Sequence, residues 1–303
     1  MNFIMSIIDF FYMPLEIFSQ TIVNGLLTGS IYSLVAIGLT LIYGVMIILN
    51  FAHGEFLMLG MYISFFSFTL LGLDPYLALP ISAILIFALG ALIQNVLVSQ
   101  VLDSHPLNQI ILLLGVSMLL IGLAQFFWTA EPKAIHVSYE TAVFKLGFLR
   151  FSIPRTVAFF SAMIISFSLF LFLQYTKTGA AIRAVSQSRA GAVLMGINVK
   201  YIYMLTFGLG TAVTAVAGAL LTPNYRMIPT VGAPYAVTAF VVVVLGTMGN
   251  FIGAFIGGLI IGLVEAFAGF YFGGDVKIVA SMFVFILILL FKPAGLFGGK
   301  TGI

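Results

Sequence analysis

Cysteine is absent from this 303-residue chain, which excludes disulfides, thiolate metal sites and cysteine nucleophiles. Charge is nearly as scarce. Only 7% of the residues are Asp, Glu, Lys or Arg, where a soluble globular domain carries about 25%. A chain so poor in charge cannot cover its surface with water-binding groups, so most of that surface must face lipid or packed helices. Residues Met1 to Gln20 lack the basic n-region and small-residue cleavage site of a secretory signal. Their only charges are Asp9 and Glu16, and they read as a short interfacial or partly inserted helix ahead of the first span. No polar stretch is long enough for a separate catalytic or binding domain, so residues 1–303 read as one transmembrane domain. Nothing resembles a nucleophile–base arrangement, and one His beside one carboxylate is no complete metal-ligand set. Enzymatic activity, cofactor and metal are therefore not expected.

What the chain does have is apolar sequence. It is 62% hydrophobic, with a mean hydropathy of +1.22. A spanning helix needs about 20 apolar residues. Runs of that kind fall at roughly 20–48, 55–73, 76–101, 108–128, 154–175, 201–222, 234–248, 251–271 and 277–292. The expected fold is all-α, a polytopic transmembrane bundle of eight or nine spans. The segments flanking Gly246 to Gly253 are short or glycine-interrupted, so a re-entrant or broken helix is expected near 234–271.

Two polar stretches interrupt the spans. Thr129 to Pro154 holds Glu131, Lys133, Glu140, Lys145 and Arg150, with Trp128 at its edge as an interfacial anchor. Thr176 to Lys200 holds Lys177, Arg183, Arg189 and Lys200 and no acid. Basic residues in short loops stay on the cytoplasmic side, which places this second stretch, and the tail with Lys292 and Lys300, inside. The N-terminus is then outside if all nine spans are real and inside if one is not. The first stretch falls outside despite its own basic residues. The 176–200 loop is also alanine-rich, with apolar residues recurring near helical spacing, in Gly179-Ala-Ala-Ile-Arg183-Ala184 and Ala192-Val-Leu-Met195-Gly196-Ile-Asn198. An amphipathic cytoplasmic helix suits docking into a partner's groove; a solvated basic loop that merely sets topology is the alternative.

Asn50-Phe-Ala-His53-Gly54-Glu55 puts an amide, an imidazole and a carboxylate within six residues between two apolar spans. Charges at membrane depth cost about 2.5–3.5 kcal/mol on insertion scales and usually face the protein interior. The segment is either a joint lining a pathway or a capped turn at the cytoplasmic interface, where Glu55 would suit a helix N-terminus. Further on, Gly249, Gly253 and Gly257 recur every four residues, as do Gly258 and Gly262, ahead of Glu265. That spacing makes a flat face for close helix–helix contact, within the chain or with a permease partner. Gly25, Gly29, Ser30 and Ser33 make a similar face on the first span. Ala294-Gly-Leu-Phe-Gly-Gly299-Lys300-Thr301 matches a permissive phosphate-loop pattern, but such a loop needs a helix after it and only Gly302 and Ile303 follow.

Together these segments resemble the bacterial and archaeal branched-chain amino acid ABC transporter permeases of the LivH type. The resemblance runs from about Asn24 to Gly298. It rests on Asn24-Gly25 through Tyr43-Gly44, on Asn50-Phe-Ala-His53-Gly54-Glu55, on the Gly179 to Asn198 loop, on Val244-Leu-Gly246 through Glu265, and on Pro293-Ala-Gly-Leu-Phe-Gly298. It implies a cell-membrane permease subunit that pairs with a second, related permease as a hetero-dimer. Two cytoplasmic ABC ATPases would drive the pair, and an extracytoplasmic binding protein would deliver substrate. Gly179, Arg183, Ala184, Met195, Gly196 and Asn198 would then form the segment that seats in the ATPase. Asn24, Ser30, Asn50, His53, Gly54 and Glu55 are the candidates for the pathway or its joint. The implied substrates are leucine, isoleucine and valine, with urea or short amides as the alternative, since the family includes such permeases. One departure is Thr238, where family members often carry a basic residue. An ion-driven secondary transporter is the rival outside the family, but it would need several intramembrane ionisable groups, and only Glu55 and Glu265 are available. No nucleic-acid partner is expected.

Overall fold

The structure, a computed structural model, describes residues 14–298. The Asp9 part of the expected N-terminal helix and the Gly299-Lys300-Thr301 part of the glycine-rich tail lie outside the described residues. Nine apolar helices form the bundle: α1 Leu15–Met46, α2 His53–Leu71, α3 Leu79–Val101, α4 Pro106–Trp128 and α5 Ile153–Tyr175, then α8 Val199–Leu221, α9 Gly232–Leu245, α10 Phe251–Phe272 and α11 Val276–Phe291. Two short polar helices, α6 Lys177–Gln187 and α7 Arg189–Leu194, lie between α5 and α8. Each expected run is helical, with its ends within about five residues, and seven of the nine helices are long and apolar enough to cross a membrane, α9 and α11 being shorter. Leu15 to Gln20 open α1 itself rather than a separate interfacial helix, because nothing between Leu15 and Met46 breaks the helical hydrogen bonding.

Local chemistry sets the ends. Thr176, Asn198 and Asn250 each accept a backbone N–H from three residues on, capping α6, α8 and α10. Pro106 and Pro154 sit in the first turns of α4 and α5, where their missing N–H costs nothing. Gln94–Val98 of α3 is a π-helical turn. The stretch between α4 and α5 holds the one feature with no forerunner in the sequence reading, an antiparallel hairpin of β1 Val143–Leu146 and β2 Leu149–Ser152. Trp128 is half-buried at the end of α4. It stacks on Tyr62 with ring centroids 4.3 Å apart.

The core is built on α1 and α8, whose most apolar windows are 83% buried, against 28% for α4 and 22% for α5. Small residues let the backbones close. A Cβ at Gly258 would strike the backbone of Ser33, and one at Gly262 the backbones of Gly25 and Gly29, so α10 lies directly on α1. Gly38 of α1 meets Gly210 of α8, and Gly60 of α2 meets Ala215 of α8. Lipid supplies no hydrophobic drive between helices, so this close packing is what holds them.

Contacts at the helix ends define two opposite faces. The hairpin face gathers Gln20 with Arg150, Tyr139 with Asp74, Tyr76 with Pro154, and Lys133 with Met227. The α6 face gathers Arg189 with Asp103 and Leu296 with Leu245. All nine helices alternate between these faces, so the described N-terminus lies opposite α6. Two crossings are broken. The chain from Ile47 to Ala52 turns back into the bundle before α2 starts, and α9, with 14 residues and about 21 Å of length, is too short for a bilayer core of about 30 Å. The irregular stretch 222–231 leads from the hairpin face, where Met227 pairs with Lys133, to the start of α9. The expected irregularity near 234–271 is thus a shortened first half followed by an unbroken α10.

Gly258→Ala is expected to destabilise the detergent-solubilised protein by about 1–3 kcal/mol through overpacking. Gly115→Ala on α4, where a Cβ meets nothing within 4 Å, should be neutral or slightly stabilising. Thermal unfolding of the two variants side by side checks both.

Candidate pathway joint and coupling segment

The Asn50–Glu55 segment sits well inside the bundle rather than at a membrane surface. His53 is fully buried and its Nε2 lies 3.0 Å from the carbonyl of Val35, about 16 Å back along α1 from Met46. The same nitrogen is 2.7 Å from Thr214 Oγ1, and that hydroxyl donates to Gly210 O at 2.9 Å. One assignment satisfies the three contacts: Nε2 carries the proton and donates toward Val35 and Thr214, while the Thr214 hydroxyl donates its own hydrogen bond to Gly210. The joint therefore ties α2 to α1 and α8 at once.

Glycine makes this depth possible. Gly54 and Gly232 approach backbone to backbone, so the first turns of α2 and α9 meet inside the bundle. Glu55 follows one residue later and accepts from Ser117 Oγ at 2.7 Å, drawing in α4. Asn50 is buried and accepts from the backbone of Ala52 at 3.1 Å. Asn50, His53, Gly54 and Glu55 form one cluster. Asn24 and Ser30 do not join it. Asn24 is exposed near the hairpin face, and Ser30 is satisfied by Leu27 O within α1. Glu265 makes a separate polar node, accepting from Tyr32 Oη at 2.6 Å and from Ser281 Oγ at 2.7 Å. Among the described residues no group of three His, Cys, Asp or Glu is placed to hold a metal.

The expected glycine face divides between two neighbours. Gly258 and Gly262 close on α1, Gly253 on Gly246, and Gly257 on Val242 of α9. Gly249, at φ +85°, turns the chain beside Gly44. These contacts are all within the chain.

At the opposite end of the site, α6 packs Ile182 and Val185 inward, and Gly179 lies so close to Phe172 and Leu173 that no side chain fits. The α6 to α8 stretch is anchored from outside by an ion pair of Arg189 with Asp103 in the α3–α4 turn, whose hydrogen bond holds the Asp103 carboxyl below its usual range. Gly196 takes φ +77°, and Asn198 caps α8. Just ahead of Gly196, Val193, Leu194 and Met195 project into the open, with Leu194 87% and Met195 82% exposed. Ala184 is half-buried, and Arg183 turns toward the bundle rather than outward. The sequence reading named Met195 but missed Leu194. It also missed Thr214, Ser117 and Gly232, which join the site from distant helices.

The chain matches the family described as the permease component of the branched-chain amino acid transport system across residues 21–292. It is 36% identical over 292 residues to the high-affinity branched-chain amino acid transport system permease protein BraD of Pseudomonas aeruginosa, covering 92% of this chain and 95% of that one. It is 35% identical to the corresponding permease protein LivH of Escherichia coli K12, covering 93% and 96%. A probable LivH of Methanocaldococcus jannaschii is 28% identical over 91% of each chain.

His53→Ala removes the hub of the joint and is expected to cost about 2–5 kcal/mol of stability. Thr214→Ser keeps the hydroxyl and should cost about 1 kcal/mol, within the range of a lost buried methyl group. Denaturant unfolding of the solubilised protein measures both.

Proposed function

This chain belongs to the branched-chain amino acid transport permease family, and from that premise we propose that it carries leucine, isoleucine and valine across the cell membrane as one permease subunit of an ATP-driven importer. The observation that carries the reading is likeness along nearly the whole chain to proteins named as high-affinity branched-chain amino acid permeases. The chain would pair with a second, related permease. Two cytoplasmic ATPases would supply the work, and a binding protein outside would deliver substrate. The basic α6–α7 face is then cytoplasmic, and the hairpin face meets the binding protein.

Val193, Leu194 and Met195 form the knob we assign to the ATPase. An exposed apolar trio between two capped helices fits a groove better than it fits water. The Asp103–Arg189 pair holds that knob against the α3–α4 turn, so a push on it is transmitted to α3, α4 and α8 rather than absorbed by a loose loop. Arg183, Gly179, Ala184, Gly196 and Asn198 shape and seat the segment behind it. The joint at Asn50–Glu55 lies where α1, α2, α4, α8 and α9 converge, which suits an element whose two arrangements would switch access.

Proteoliposomes holding the complete assembly should take up leucine only with ATP inside the ATPase compartment and the binding protein outside, and should take up urea poorly. Leucine-independent urea uptake would sink the substrate assignment. Leu194→Asp with Met195→Ser should lower substrate-stimulated ATP hydrolysis at least about ten-fold while the permease still inserts. Unchanged stimulation in that double variant would remove the knob from the mechanism.

A further inference from the structure

A cavity of about 730 Å³ opens at the α6 face, and nothing in the functional reading above uses it. It lies between the ends of α1 and α5, the inner side of α6, the 247–252 turn and the Phe297–Gly298 tail. Its walls are mainly apolar, from Leu41, Val45, Phe170, Leu173, Ile182 and Phe297. Two polar atoms on this wall are shut off from solvent without a hydrogen-bond partner among the described residues, Arg183 Nη1 and Thr40 Oγ1. A guanidinium nitrogen in that position is costly unless an anion completes it.

The opposite charge is also provided for. Two helices, α1 and α5, finish at this cavity, and neither has a basic residue in its last turn. Helix C-termini carry unpaired carbonyls and a partial negative charge, which favours a cation. The chamber is therefore lined by Arg183, by the C-terminal ends of two helices and by a greasy wall. That is the complement of a small zwitterion with an apolar side chain.

We propose that this cavity is a cytoplasmic-side binding site for a branched-chain amino acid, with Arg183 holding the carboxylate. The proposal rests on the transport reading above and names a site for its substrate. Because Arg183 rides on α6, which leads through Ser188 into the helix that ends in the exposed knob, an amino acid in the chamber ties its release to the position of the coupling segment. Arg183 then faces the cargo, and the contact with the ATPase falls to Leu194 and Met195.

The test uses the purified complete assembly, without binding protein, in nanodiscs of phosphatidylcholine, titrated with radiolabelled leucine. Saturable binding is expected, with leucinamide, which lacks the carboxylate, and glycine, which lacks the apolar side chain, competing at least about ten-fold more weakly. Arg183→Gln should weaken leucine at least about ten-fold, the scale of one lost charge-assisted hydrogen bond, and Arg183→Lys should weaken it less. Ile252→Trp, at a half-exposed rim position that tolerates bulk, should narrow the cavity and weaken leucine without touching any charge. Equal binding by Arg183→Gln, or equal competition by leucinamide, overturns the site. Loss of leucine binding to the wild type alone on adding phosphatidylglycerol assigns the guanidinium to a lipid headgroup and also overturns it. Uptake from the binding protein separates the two readings. A wild type that transports no leucine fails the function, whereas one that transports leucine but binds it independently of Arg183 fails only this site.

Discussion

The contact on which the rest depends is the backbone-to-backbone seam of α1 with α10 and α8. Inside a bilayer there is no hydrophobic gain in joining two apolar helices, since lipid tails are as apolar as leucine. What remains is dispersion, which grows as backbones approach, and only glycine and serine permit that approach. Gly25, Gly29 and Ser33 against Gly258 and Gly262, and Gly38 against Gly210, make α1 a post with neighbours locked on two sides. That rigidity lets the same chain afford breaks elsewhere.

The breaks are where polar backbone enters the bundle. A chain segment at membrane depth must satisfy its own hydrogen-bonding groups, so an irregular stretch survives only when enclosed by protein. The buried parts of the two breaks meet that condition, Ile48, Asn50 and Ala52 in the first and Thr222, Pro223, Met227 and Pro229 in the second. The meeting of Gly54 and Gly232 brings two helix starts together, and the imidazole of His53 and the carboxylate of Glu55 use partners on three other helices. The joint is held by polar contacts in a region otherwise held by packing. Such a node is well defined in one arrangement and can be well defined in another, unlike a greasy seam.

The seam was legible in the sequence and the joint only half so. Apolar runs mark spans because the bilayer sets their length, and four-residue glycine spacing marks a contact face because it reports helix geometry directly. Neither signal says which neighbour the face meets. The partners of Gly258 and Gly262 proved to be Gly25, Gly29 and Ser33, already noted as a small-residue face, so two halves of one contact were visible without their pairing. The Asn50–Glu55 segment stood out by composition, but its depth depends on Val35 and Thr214, the latter 161 residues away, and no spacing rule reaches that far. The hairpin at 143–152 was hidden for a different reason. Its strands are four residues long, each with one basic residue and none buried, so they lack the alternation that marks a half-buried strand.

Arg183 shows how an orientation changes a mechanism. On an amphipathic helix outside the membrane, a basic residue is expected on the solvated face, where it would meet an ATPase or merely set topology. Here α6 is capped by Thr176 and pressed onto α5 through Gly179, and that fixes which side of the helix carries residue 183. The guanidinium then belongs to the bundle and the apolar trio at 193–195 to the outside. In the proposed arrangement the coupling stretch would touch cargo through Arg183 and motor through the trio at 193–195. Arg183 lies on α6 and the trio at the end of α7, across the break at Ser188, so occupancy and ATPase engagement would be linked through two short capped helices in sequence. That linkage is reciprocal: whatever the motor does to the chamber, the chamber's occupant does to the motor by the same free energy.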